Sequence, residues 1–115
     1  MSEAIYHVCT AAAWKEACGA GIYSGSADDR ADGYIHFSTA SQLRASVAKH
    51  RAGQSGLVLL SVDPALLGDN LKWEPARGGQ LFPHLYGRLP VPAVARADPL
   101  PLDASGGHVF PEWVP

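Results

Sequence analysis

Leu57-Val58-Leu59-Leu60-Ser61-Val62 is the stretch whose reading decides the fold. Its residues are aliphatic apart from Ser61, and no polar alternation marks one face for water. A run this short and this apolar is expected of a central strand covered on both faces. Gly53 and Gly56 mark its entry, and Asp63-Pro64 stops it.

The elements on either side follow from punctuation and period. Ala40 to His50 reads as a helix. Leu43 and Val47 recur at helical spacing with Ala40 or Ala48 beside them, Ser38 and Thr39 are good N-caps, and Lys49 and Arg51 suit the negative end. Tyr34 to Phe37 reads as a strand. Ser24 to Gly33 is polar and Gly/Ser/Asp-rich, so it reads as a loop closing on the Asp32-Gly33 turn signal. Further back, Thr10 caps a helix from Ala11 to Cys18 that Gly19 and Gly21 end, and Ala4 to Cys9 forms the first strand. Downstream come a helical turn at Pro64 to Leu67, a strand from Leu71 to Glu74 broken by Pro75, a turn at Arg77 to Gln80, an aromatic segment from Leu81 to Tyr86, and an edge strand from Pro92 to Ala97. Residues 1–98 are expected to form one compact α+β domain. Residues 99–115 have the Pro/Gly-rich composition of a tail, with Phe110 and Trp113 available to dock on it.

Composition removes several function classes. At 115 residues the chain holds one core without staples. The net charge of −2 and the absence of any Lys/Arg run argue against an extended nucleic-acid surface. No apolar run approaches a membrane span, and no signal-like segment opens the chain, so a soluble cytoplasmic protein is expected. Cys9 and Cys18 match no metal or redox spacing and read as two small buried thiols in a reducing compartment. No pair of histidines has metal-ligand spacing, and no nucleotide-binding or nucleophile-elbow motif occurs. No protein partner is implied.

Histidines carry the chemical interest. Alternation puts Ile5, His7 and Cys9 on one face of the first strand and Tyr34, His36 and Ser38 on one face of the second. Were the two strands neighbours, His7 and His36 would flank a pocket lined by Tyr34. Glu74, beside Trp73 at a strand end, is a candidate acid-base or cation-stabilising carboxylate. His84 lies in Phe82-Pro83-His84-Leu85-Tyr86, where a rigid bend meets an imidazole and a phenol. The candidate catalytic residues are therefore His7, His36, Glu74 and His84. Tyr34, Ser38, Thr39 and Tyr86 are candidate ligand-binding residues, and no metal site is expected.

The segments Ile5-Tyr6-His7-Val8, Gly33 to Thr39, Leu57 to Asp63, Trp73-Glu74 and Leu81 to Gly87 together resemble the bacterial domain-of-unknown-function family numbered 952. That resemblance covers roughly residues 4–98. It implies an ADP-ribosyltransferase-like fold, a split, mixed β-sheet core with two or three short helices and a cleft that holds NAD in active relatives. It further implies that His7 matches the ribose-binding histidine of such enzymes, Tyr34 the tyrosine that stacks on nicotinamide, and Glu74 the glutamate that stabilises positive charge on the ribose. His36 and His84 lie outside that set.

The expected function is binding of a small molecule or nucleotide such as NAD or ADP-ribose. Two enzymatic alternatives stay open: ADP-ribosyltransferase-like cleavage of NAD, and phosphodiester chemistry by His7 and His36 as an acid-base pair.

Overall fold

The computed structural model describes residues 3–115, apart from the side chain of residue 77. In chain order the elements are β1 (Ile5–Thr10), α1 (Ala11–Ala20), β2 (Ile22–Tyr23), α2 (Ala27–Asp32), β3 (Ile35–His36), α3 (Ala40–His50), β4 (Leu57–Val62), β5 (Leu71–Pro75), β6 (Leu81–Leu85), β7 (Leu89–Pro90) and β8 (Val94–Leu100).

β4 is the middle strand of a three-stranded sheet, with β1 on one side and β8 on the other. Alternation sorts its side chains. Leu60 and Val62 join Ile5 and Cys9 of β1 in one core, which also takes Ile35, Phe37 and Leu85. Leu57 and Leu59 join Tyr6 and Val8 in a second core with Leu43 and Val47 of α3. Leu59 and Leu60 are wholly buried, one on each side. Each contributes about 1.5–3 kcal/mol relative to an exposed side chain.

The remaining strands form two smaller sheets, β2-β7 and β3-β6-β5. All the ladders are antiparallel, which corrects the expectation of a mixed sheet. The physical reason lies in the connections. The three helices carry the chain from β1 to β2, from β2 to β3 and from β3 to β4, and each of these steps changes sheet. A helical crossover creates a parallel pair only when it returns to its own sheet.

Helix ends follow their caps. The Thr10 side chain accepts from Ala13 N–H, and Gly21, at φ 80°, ends α1 by bonding back to Ala17 O, two residues beyond the expected stop. The loop expected at Ser24 to Gly33 is instead α2 over most of its length. Ser26 Oγ accepts from Asp29 N–H, and Asp29 Oδ2 accepts from Ser26 N–H, a reciprocal capping box. Trp73, at 46% exposure, is a surface residue. Cys9 is buried as expected, whereas Cys18 is exposed on α1.

β8 runs to Leu100, which is wholly buried in the second core. Val114 is buried in that core, and Phe110 and Trp113 pack against it. Trp113 stacks on Tyr6 at 6.2 Å, Arg96 lies 4.4 Å over the Trp113 ring, and Arg44 donates to Pro115 O. Among the described residues no helix is long and apolar enough to cross a membrane.

Candidate functional site: a histidine cleft

Two backbone contacts build the site. A bridge between Tyr6 and Ser38 lays the segment after β3 against β1, with N–H to O distances of 2.8 Å in both directions. The β3-β6 register sets His36 directly opposite His84. His7, His36 and His84 thereby reach one cleft of about 400 Å³, whose walls also include Ser38, Asp29, Asp32 and Arg51.

The three imidazoles differ in state. His7 is buried, and its Nδ1 lies 2.6 Å from His36 O. A carbonyl only accepts, so Nδ1 carries a proton. Burial pushes the His7 pKa down, outweighing Asp29, so the ring is neutral and its Nε2 accepts the Tyr23 hydroxyl at 2.7 Å. Both ring nitrogens are thus engaged within the protein. Burial in turn raises the Tyr23 hydroxyl, and it raises the adjacent Cys9 thiol to about 11.

His36 is half-exposed and sits between two carboxylates. Its Nδ1 meets Asp29 Oδ1 at 2.5 Å, and its Nε2 lies 3.0 Å from Asp32 Oδ2. Only a doubly protonated ring donates to both, so this geometry is that of an imidazolium. The Asp29 hydrogen bond raises its pKa against the opposing effect of burial. Asp29 is buried, which by itself would raise its carboxyl. The bond from His36 and the backbone N–H groups of Ser26 and His36 bring it down to about 2.

His84 is buried beside the cleft, with Nδ1 2.8 Å from Glu74 Oε1. The same oxygen accepts the Tyr86 hydroxyl at 2.6 Å. Tyr86 and His84 hold the Glu74 carboxyl below its usual range, and Glu74 pushes the Tyr86 hydroxyl up to about 12. Glu74 therefore braces His84 from behind and is not one of the residues lining the cleft. Tyr34 stacks on the His84 ring at 4.1 Å and tilts against His36 at 4.6 Å, so it too lies behind the lining. Thr39 caps α3, its N–H donating to Gln42 Oε1, and does not line the cleft.

Sequence reasoning overlooked Tyr23, Asp29, Asp32 and Arg51. The signal for Asp29 was present: Ser26-x-x-Asp29 has capping-box spacing. Asp32 and His36 stand four residues apart, but a turn separates α2 from β3, so no helical pairing rule applied.

Fold and site together define a small α+β domain with a histidine-and-carboxylate cleft. The family model described as protein of unknown function, DUF952, matches residues 8–97, and the chain belongs to that family. The X-ray structure of protein CC0527 from Caulobacter crescentus is 46% identical to this chain, covers 92% of it and 93% of its own length, and superposes with a TM-score of 0.89. The solution NMR structure of CC0527 is 47% identical over 90% of each chain, with a TM-score of 0.81. No curated protein matches the chain.

Proposed function

We propose that the cleft binds a small polar molecule of nucleoside or nucleotide kind, with His36 and His84 as the contacting imidazoles. The observation that carries the reading is convergence. Cross-strand pairing sets His36 against His84 in one cavity, and each ring is oriented at Nδ1 by a carboxylate. Orientation of an imidazole through Nδ1 leaves Nε2 to define a contact with a ligand; at His36 that nitrogen also faces the exposed Asp32 carboxylate, so a ligand there meets the two together. NAD and ADP-ribose are the first nucleotides to try, on the strength of the resemblance to the ADP-ribosyltransferase fold. In this reading the protein acts in the cytoplasm, where an exposed thiol such as Cys18 stays reduced.

NAD cleavage is a weaker second reading: Glu74, the carboxylate that would stabilise positive charge on a ribose, is held by His84 and Tyr86 outside the cleft lining. The engagement of both His7 ring nitrogens weighs against it, and equally against a His7–His36 acid-base pair.

Thermal-shift measurements with NAD, ADP-ribose, nucleosides and sugars test the proposal. A ligand at 100 times its Kd adds about 2.7 kcal/mol of stability, several degrees for a domain of this size. The shift should disappear in His84→Ala. No shift from any of these molecules at millimolar concentration, or a shift unchanged in the variant, would overturn the reading. Incubation with NAD separates binding from cleavage through release of nicotinamide.

A further inference from the structure

His36 holds two carboxylates with one ring, and the two are not equivalent. Asp29 is fixed. It is buried, and it accepts the His36 backbone N–H at 3.1 Å and the Ser26 N–H at 2.7 Å as well as the ring proton. Asp32 is exposed, ends a six-residue helix and touches the ring only at Nε2. A neutral imidazole has one N–H. When His36 loses a proton, Nδ1–H stays with Asp29, and Nε2 turns a lone pair toward the Asp32 carboxylate. Two acceptors then stand side by side at the cleft wall with no proton between them, an arrangement that repels itself and fits a pair of donors.

We propose that the cleft's ligand presents a vicinal diol, whose two hydroxyls donate to His36 Nε2 and Asp32, and that binding takes place as the His36 proton leaves. The inference rests on the binding role given to this cleft and adds the ligand class and its pH control. Charge supports a neutral donor at this wall. Asp28, Asp29 and Asp32 all face the cleft from α2, and Arg51 beyond α3 already donates to Val8 O and Gln54 Oε1. The other titratable groups around His36 are accounted for. His7 of β1 faces it through the His36 carbonyl, His84 of β6 lies edge-on at 5.7 Å with Nδ1 bonded to Glu74 of β5, and Tyr34 tilts against it at 4.6 Å. His50 of α3 also lines the cleft.

Calorimetry with adenosine, ribose and 2′-deoxyadenosine at a series of pH values from 5.5 to 8.5 tests the proposal. A ligand taken only by the deprotonated form binds about tenfold more tightly per pH unit below the His36 midpoint, and the gain levels off above it. Adenosine should follow that curve. 2′-Deoxyadenosine, which lacks the diol, should bind at least tenfold more weakly, and ribose tells whether the diol suffices without the base. In the free protein, the backbone amide NMR signals of Asp32 and Gly33 should titrate together with the His36 ring, and Asp32→Asn should lower the His36 midpoint. Amide signals that ignore the His36 titration, or equal affinity for the two adenosines, would overturn the proposal. Should diols fail while another molecule of the thermal-shift panel binds, the diol assignment alone falls. Should nothing bind, the binding reading falls with it.

Discussion

The β1-β4-β8 sheet and the α2–β3 wall meet at the cleft, and each is held together by a different kind of force. The sheet is dry. Its middle strand buries Leu59 on one side and Leu60 on the other, and its histidine, His7, is neutral because the surroundings cannot solvate a charge. The wall is polar. α2 carries no apolar stripe and is fastened by the Ser26–Asp29 capping box and by Asp29's bonds to His36. Its histidine is charged because two carboxylates face it. The same side chain thus takes opposite protonation states a short distance apart, and environment alone decides which.

Substitutions that remove one kind of force and spare the other sharpen this contrast. The largest effect is expected in the sheet. Leu60→Ala should cost about 4 kcal/mol in chemical denaturation, since a wholly buried leucine leaves a cavity in a covered strand, with little change in the His36 titration. Asp29→Ala should cost about 3 kcal/mol, roughly one from the cap and the rest from donors left without an acceptor. Its loss also has a pH signature. The Asp29 carboxyl falls from its ordinary 3.8 to about 2 on folding, so its contribution is present above about pH 5 and fades as pH drops toward 2. The variant should show a flatter acid limb. Gly25→Ala is expected to cost about 2 kcal/mol. Gly25 has φ 93°, and an added Cβ would come within 2.8 Å of Asp29 Cβ. A loss from this small change, with the sheet untouched, would mark the wall as the more brittle region. The smallest effect belongs to the C-terminal strap: Arg96→Ala removes the cation over Trp113 and should cost about 0.5–1 kcal/mol.

The dry region was legible in the sequence because local pattern encodes it. The aliphatic run of β4, the period-2 faces of β1 and the capped, amphipathic α3 can each be read without knowing what they pack against. The wall was not legible for the corresponding reason. Ala27-Asp28-Asp29-Arg30-Ala31-Asp32 has the composition of a loop, and only its cap and its tertiary bond to His36 make it a helix. The site histidines were visible as residues. Their meeting was not, because β3 is two residues long and nothing near it specifies that His36 will pair with His84. Tyr34 and Glu74 were expected at the cleft itself. They stand behind it because both face His84: Glu74 of β5 accepts from its Nδ1, and Tyr34, just before β3, stacks on its ring.

The two histidines also oppose each other in the pH dependence of stability. His36, raised on folding, contributes stability that is full below about pH 6.5 and is lost as pH rises through its folded value. His7, lowered on folding, costs stability as pH falls below about 6.5, because the unfolded chain then takes up a proton that the buried ring refuses. An NMR titration of the imidazole carbon-bound protons reads both at once and tests the central claim most directly. The midpoint should lie above 6.5 for His36 and below 6.5 for His7, with His36 shifting downward in Asp29→Asn. Midpoints that coincide near 6.5, or that fall in the reverse order, would contradict it.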